Sequence, residues 1–190
     1  MNMAQVPGRF GGLILAGGKS SRMGEDKAEL VFKGERLIDH AKTVLASLGA
    51  DPILVSGRQG GLNDPTPGLG PVGGLCSLMD EVSSKALPKT WLVIPVDMPL
   101  LSIETLEPLL RSEDKITYFV AHPLPAKLHF CTSQTPYFNV AKRDMDAGRS
   151  VSVRRLITAL GGVSIMPTSE IARSLVNVNS PEEWAALNES

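Results

Sequence analysis

The strongest constraint on this chain is an alternation of two hydrophobic periods. Short continuous apolar runs occur at residues 13–15, 53–55, 91–96 and 116–121, with a weaker one at 163–166. Such runs suit strands buried on both faces. Between the first three lie segments with helical period. In 36–48 the apolar residues Leu37, Ile38, Ala41, Leu45 and Leu48 fall on one helical stripe, and Gly49 supplies a stop. A second helix is expected from Pro71 through Leu75, Leu78 and Met79. A third should follow Ser102, capped by its hydroxyl and made irregular by Pro108. Strand–helix–strand alternation of this length requires right-handed crossovers, so the expected fold is α/β: a Rossmann-like three-layer arrangement around a mostly parallel central sheet. Ligands of such sheets bind at the carboxyl ends of the strands, which directs attention to the loops after Leu15, Val55 and Val96.

The later third is less regular. "HPLPAKLHFCTSQTP" is expected to be extended or a hairpin, with helices near 136–146 and 151–160 separated by Gly148. In "NVNSPEEW", Ser180, Pro181 and Glu183 stand at the N-cap, N1 and N3 positions of a capping box that opens a terminal helix. No repeat or linker interrupts the 190 residues, 43% of them hydrophobic, so a single domain over 1–190 with a loose N-terminus at 1–11 is expected. Nineteen basic and 20 acidic residues leave a net charge of −1, which argues against a nucleic-acid or membrane surface and favours a small anionic ligand. Two distant cysteines, Cys76 and Cys131, suggest neither a disulfide framework nor a zinc site and fit a reducing cytoplasm. No apolar run approaches the roughly 20 residues of a membrane span.

The first strand runs into "LILAGGKSSRMGEDKAEL". A Walker A loop fails here, because Leu13 occupies the position of its first glycine, and the adjacent pair Gly17–Gly18 does not make GxGxxG. The physics shared by phosphate loops remains: glycines bring backbone N–H groups close to phosphate oxygens, and Lys19, Arg22 and Lys27 supply positive charge. On the third strand, "WLVIPVDMPLL" ends in Asp97, a lone carboxylate suited to Mg²⁺, which takes one or two protein carboxylates and completes its shell with phosphate and water. A third glycine-rich stretch, "NDPTPGLGPVGGL", carries Asp64 and Gly70 into a helix N-terminus.

These residues resemble a known family. The first motif is similar to the LAGGxSxRMGxDK signature of molybdenum cofactor guanylyltransferases, the MobA-like nucleotidyltransferases, and "GPVGGL", "DMP" and "NVNSPEEW" continue the resemblance. The resemblance implies transfer of GMP from GTP to molybdopterin-bound molybdenum cofactor, with release of pyrophosphate and formation of a guanine dinucleotide. It implies that Leu15, Ala16, Gly17 and Gly18 cradle GTP, that Lys27 binds its phosphates, that Asp64 contacts the nucleoside, and that Asp97 holds Mg²⁺ and nucleotide. Gly70 belongs to the same nucleotide wall, and Ser56 stands near where the family commonly has a nucleotide-contacting asparagine. Because the attacking group is already an ionised phosphate monoester, catalysis reduces to in-line positioning and charge neutralisation by Lys27, Arg22 and Mg²⁺ on Asp97. The stretch "LPAKLHFCTSQTP" departs from the family pattern. His129 within it is expected to be a satisfied structural histidine, while Arg149, Arg154 and Arg155 are either ligands of the acceptor phosphate or solvated helix charges. The alternatives are transfer of a cytidylyl or other nucleotidyl group to a phosphorylated acceptor, and a silent nucleotide-binding adaptor. Transient contact with proteins that deliver or receive the cofactor follows from the resemblance.

Overall fold

The computed structural model describes residues 8–17, 26–58, 61–62 and 70–188. Six strands form one sheet in the order β4-β1-β5-β7-β6-β8: β1 (Phe10–Leu15), β4 (Ile53–Ser56), β5 (Thr90–Pro95), β6 (Ile116–Phe119), β7 (His122–His129) and β8 (Val163–Ile165). Only β7 runs antiparallel to its neighbours; β1 pairs in parallel with β4 and β5, and β6 with β8. The connections are α1 (Leu37–Ser47) between β1 and β4, α2 (Gly70–Ser84) between β4 and β5, and α3 (Ile103–Arg111) between β5 and β6. After β7 come α4 (Thr135–Asp146) and α5 (Val153–Ala159), and after β8 come α6 (Ser169–Ser174) and α7 (Pro181–Asn188).

The continuous apolar runs have a plain cause: both faces of the sheet are covered. Leu13, Leu15, Trp91 and Val93 enter a core with α2, α4 and α5, while Ile14, Leu92 and Ile94 enter a second core with α1 and α3. In α1 the buried stripe is Leu37, Ile38, Ala41, Val44 and Leu45, with Leu48 only partly covered. Burying side chains of this kind contributes roughly 1.5–3 kcal/mol each, so the sheet holds together through its two faces rather than through its edges.

Several expectations need adjusting. β1 begins at Phe10, inside the stretch assigned to a loose N-terminus, and Phe10 is buried. Gly11 and Gly12 look like turn residues but serve close packing: a Cβ on Gly11 would sit 2.6 Å from the Trp91 ring, and one on Gly12 2.8 Å from Leu45. Ser102 occupies the N-cap of α3, yet its hydroxyl faces Thr105 Oγ1 at 3.3 Å and makes no cap bond to the backbone. The helix runs through Pro108 to Arg111. "HPLPAKLHFCTSQTP", expected to be extended or a hairpin, does contain β7, which folds back on β6 as a hairpin. The small hairpin of β2 (Val31–Phe32) and β3 (Glu35–Arg36), and the short helix α6, had no periodicity long enough to announce them.

Candidate active site

The carboxyl ends of β1 and β5 lie side by side, with the Val96 N–H donating to the Leu15 carbonyl at 3.1 Å. They open into a cleft of about 660 Å³ lined by Leu15, Ala16 and Gly17 on one strand end and Val96, Asp97 and Met98 on the other. Lys27, Asn177 and Asn179 close one flank. The switch of connection direction between β1 and its two neighbours creates this crevice, as expected for an open α/β sheet.

Lys27 reaches the cleft from a short 3-10 turn, Lys27–Glu29. Asp26 caps that turn by accepting the Ala28 N–H at 3.0 Å, and Ala28 is wholly buried, so the turn is fixed on both sides of Lys27. Arg58 holds the same turn from outside through Asp26 (3.2 Å) and Glu29 (2.5 Å), and Arg36 adds a bond to Glu29 at 2.9 Å. Hydrogen bonds from Arg58 and Arg36 hold the Glu29 carboxyl below its ordinary range.

Lys27 Nζ donates to Asp97 Oδ2 at 3.1 Å and to Asn179 Oδ1 at 2.7 Å. Asn177 Nδ2 approaches the other Asp97 oxygen at 3.4 Å, and the Val178 N–H donates to the Asp97 backbone carbonyl at 2.9 Å. Side chains of Lys27 and Asp97 are each 18% exposed, which places the pair between a screened surface bridge and a dry buried one. The capping box anchors this arrangement. Glu183 accepts from the backbone N–H groups of Asn179 and Ser180 at 2.6 and 3.2 Å, and its own N–H donates to Ser180 Oγ at 3.2 Å. Asn177 and Asn179 are therefore positioning residues that the sequence-based reading did not single out. The signal is present in "NVNSPEEW", which reads as a capping box and as part of the family resemblance without a role for its asparagines.

The remaining expected site residues are distributed unevenly. Gly70 opens α2 with φ 67°, and its neighbour Pro71 lines the cleft. Ser56 is 4% exposed and faces α2, where a Cβ on Gly74 would lie 2.4 Å from its hydroxyl, so it sits outside the cleft lining. The loop after β4 still matters, because Gly57 presses on Gly17: a Cβ on Gly57 would fall 2.2 Å from the Gly17 Cα. Gly18, Lys19, Arg22 and Asp64 lie outside the described residues. His129 lies at the opposite end of the sheet, with Nδ1 2.9 Å from Thr90 Oγ1. Burial and the charges of Lys115, Lys89 and Lys127 depress its pKa below 6.5. Arg149 is bound to Asp144 at the surface, whereas Arg154 lines the cleft.

Comparison with known proteins agrees with this geometry. Residues 12–159 match the family model of the MobA-like NTP transferase domain. The chain belongs to that family. A molybdenum cofactor guanylyltransferase from Xanthomonas euvesicatoria pv. vesicatoria is 37% identical over 180 residues, covering 93% of each chain. Among solved structures, molybdopterin-guanine dinucleotide biosynthesis protein A from Archaeoglobus fulgidus is similar with a TM-score of 0.58 and 17% identity, covering 94% of this chain and 96% of that one. A nucleotidyl transferase from Methanothermobacter thermautotroptrophicus gives a TM-score of 0.65 at 17% identity, covering 96% and 97%. Those two likenesses show the shared fold: a mostly parallel sheet flanked by helices. None of the described helices is long and apolar enough to cross a membrane.

Proposed function

We propose that this protein transfers GMP from GTP to the terminal phosphate of molybdopterin-bound molybdenum cofactor, releasing pyrophosphate. The observation that carries the reading is the convergence of Lys27 and Asp97, 70 residues apart in sequence, on one cleft at the carboxyl ends of β1 and β5 in a chain of this family. The guanylyl donor and the cofactor acceptor are taken from the relative that is 37% identical.

The chemistry asks little of the protein beyond positioning and charge. An acceptor phosphate oxygen attacks the α-phosphorus of GTP in line, and the bond to the bridging oxygen of the departing pyrophosphate breaks. The attacking monoester is already ionised, so no general base is required, and the barrier falls through alignment and electrostatic stabilisation. Lys27 supplies a cation for the triphosphate, held in direction by Asn179 and Asp97. Leu15, Ala16 and Gly17 form the strand end against which the phosphates lie, with the Ala16 N–H held by the Ser56 carbonyl at 3.0 Å, and Gly57 fixes where Gly17 lies. Arg22, Gly18 and Asp64 complete the nucleotide site in this reading.

Mg²⁺ fits the donors at hand. Asp97 offers a hard carboxylate inside the cleft, and no three His, Cys, Asp or Glu side chains converge on a metal site among the described residues. One carboxylate suffices for an ion that takes most of its remaining shell from phosphate and water. Bound to Asp97, Mg²⁺ would supply positive charge toward the α-phosphoryl group and the pyrophosphate. A reducing cytoplasm suits a chain in which neither Cys76 nor Cys131 is in a disulfide.

Base choice provides the test. Titration calorimetry with GTP, CTP, ATP and UTP in the presence of Mg²⁺ should show GTP binding tightest, and preference for CTP would overturn the guanylyl assignment.

A further inference from the structure

The cleft has a second wall to which the reaction above gives no task. β1 lies on one side of β5, and the β6–β7 hairpin lies on the other. Because β6 is parallel to β5, its turn into β7 emerges at the same edge of the sheet as Asp97. That turn contributes Ala121 and His122 to the lining, and the start of α5 contributes Ser152 and Arg154. Among the described lining residues, Lys27 and Arg154 are the two permanent cations. Lys27 is engaged by a carboxylate; Arg154 has none among the described residues and donates from Nη2 to the Ala121 carbonyl at 2.6 Å.

The Ala121 backbone is at φ 67°, a left-handed conformation uncommon for alanine, and its carbonyl is the group that receives the Arg154 guanidinium. Strain of this kind persists where surrounding structure enforces it, and it concentrates at functional sites. A guanidinium carries five N–H donors in a fixed fork, so one bond to Ala121 orients the group and leaves the others for an anion. Arg149, by contrast, is bound to Asp144, and neither Arg149 nor Arg155 lines the cleft.

We propose that Arg154, oriented by the Ala121 carbonyl, binds the acceptor's terminal phosphate monoester and presents one of its oxygens to the α-phosphorus. This rests on the nucleotidyl-transfer reading of the same cleft. With the nucleotide triphosphate held on the Lys27 side, the attacking group must enter from elsewhere, and among the described residues Arg154 is the cation on the other wall. The attacking oxygen forms the new P–O bond as the α–β bridge breaks, and that electron pair leaves with pyrophosphate; no proton transfer is needed. A guanidinium suits the role because it can grip two phosphate oxygens in parallel while leaving the third free to attack.

The test compares wild type with Arg154→Gln and Arg154→Lys. Loss of a charge-assisted pair should raise the KM for molybdenum cofactor by about 10- to 100-fold, with Arg154→Lys intermediate and the calorimetric Kd for GTP unchanged. Direct binding of molybdopterin, followed by its intrinsic fluorescence, should weaken in parallel. An unchanged acceptor KM and molybdopterin affinity would overturn the proposal. Equal weakening of GTP and acceptor with a lowered Tm would also overturn it, by making Arg154 a strut for the Ala121 turn. If wild type released no pyrophosphate, the nucleotidyl-transfer reading would fall, while the molybdopterin-binding comparison would still decide whether Arg154 holds a phosphate.

Discussion

Gly57→Ala tests how the fold fixes the nucleotide wall. Gly57 is at φ 85°, where an alanine costs roughly 1–2 kcal/mol in backbone strain. The new Cβ would also lie 2.2 Å from Gly17 Cα and 2.4 Å from Gly17 N, both backbone atoms without a rotamer to yield. Ordinary contact begins near 3.4 Å, so the ends of β1 and β4 must separate by about 1.2 Å. Overpacking of this kind costs about 1–3 kcal/mol. Together the two effects predict a loss of about 2–5 kcal/mol, or a Tm lower by about 4–20 °C for a chain of this size. Gly17 lines the cleft, so displacement of about 1 Å should also reduce turnover by about 10²-fold. Gly49→Ala is the control: φ is 86° there, but a Cβ meets nothing within 4 Å, so only the backbone cost applies and activity is retained. Differential scanning calorimetry gives the Tm and a pyrophosphate-release assay the turnover. Equal Tm losses for the two variants, with normal turnover in Gly57→Ala, would refute the claim that this contact sets the loop.

Two further outcomes follow from the same structure. Asn179→Ala removes the shorter of the two acceptors holding Lys27, 2.7 Å from its ammonium, and should lower kcat/KM for GTP by about 10- to 100-fold, with a Tm change too small to explain it; steady-state kinetics beside a thermal melt checks this. His129 titrates below its ordinary value of 6.5 because burial and then Lys115, Lys89 and Lys127 disfavour the imidazolium. The unfolded chain therefore takes up this proton first, and stability rises with pH through the window between the depressed folded value and 6.5. Urea denaturation should show wild type losing stability as pH falls below 6.5, before carboxylates titrate, and His129→Gln should flatten that slope.

Much of the fold was legible because its signals are local. Buried strands announce themselves as unbroken apolar runs when helices cover both faces, and α1 repeats at the helical period over three turns. Gly11 fell within the expected loose N-terminus because its role is tertiary: nothing near it in sequence reveals that the Trp91 ring will lie against it. The same applies to the site. Lys27 and Asp97 were readable from glycine-rich and strand-end context, but Asn177 and Asn179 reach Lys27 and Asp97 only because the last segment returns across the end of β5. Ser56 was named because it stands near the family's nucleotide-contacting asparagine, and its hydroxyl is buried beside Gly74, a placement that strand-end position does not reveal. Which of three arginines faces the cleft depended on where α5 begins, a boundary that composition does not specify.

The central claim is that Asp97 and Lys27 form the charge-handling centre of a nucleotidyl transfer. Pyrophosphate release from GTP, with molybdenum cofactor as acceptor and Mg²⁺ present, tests it directly in wild type and Asp97→Asn. The substitution keeps the shape of the side chain and removes its charge 3.1 Å from the Lys27 ammonium. Release should be Mg²⁺-dependent in wild type and fall by about 10²–10³-fold in the variant, the scale for removing a preorganised electrostatic group. Wild-type turnover in Asp97→Asn, or no release from well-loaded wild type, would contradict the account.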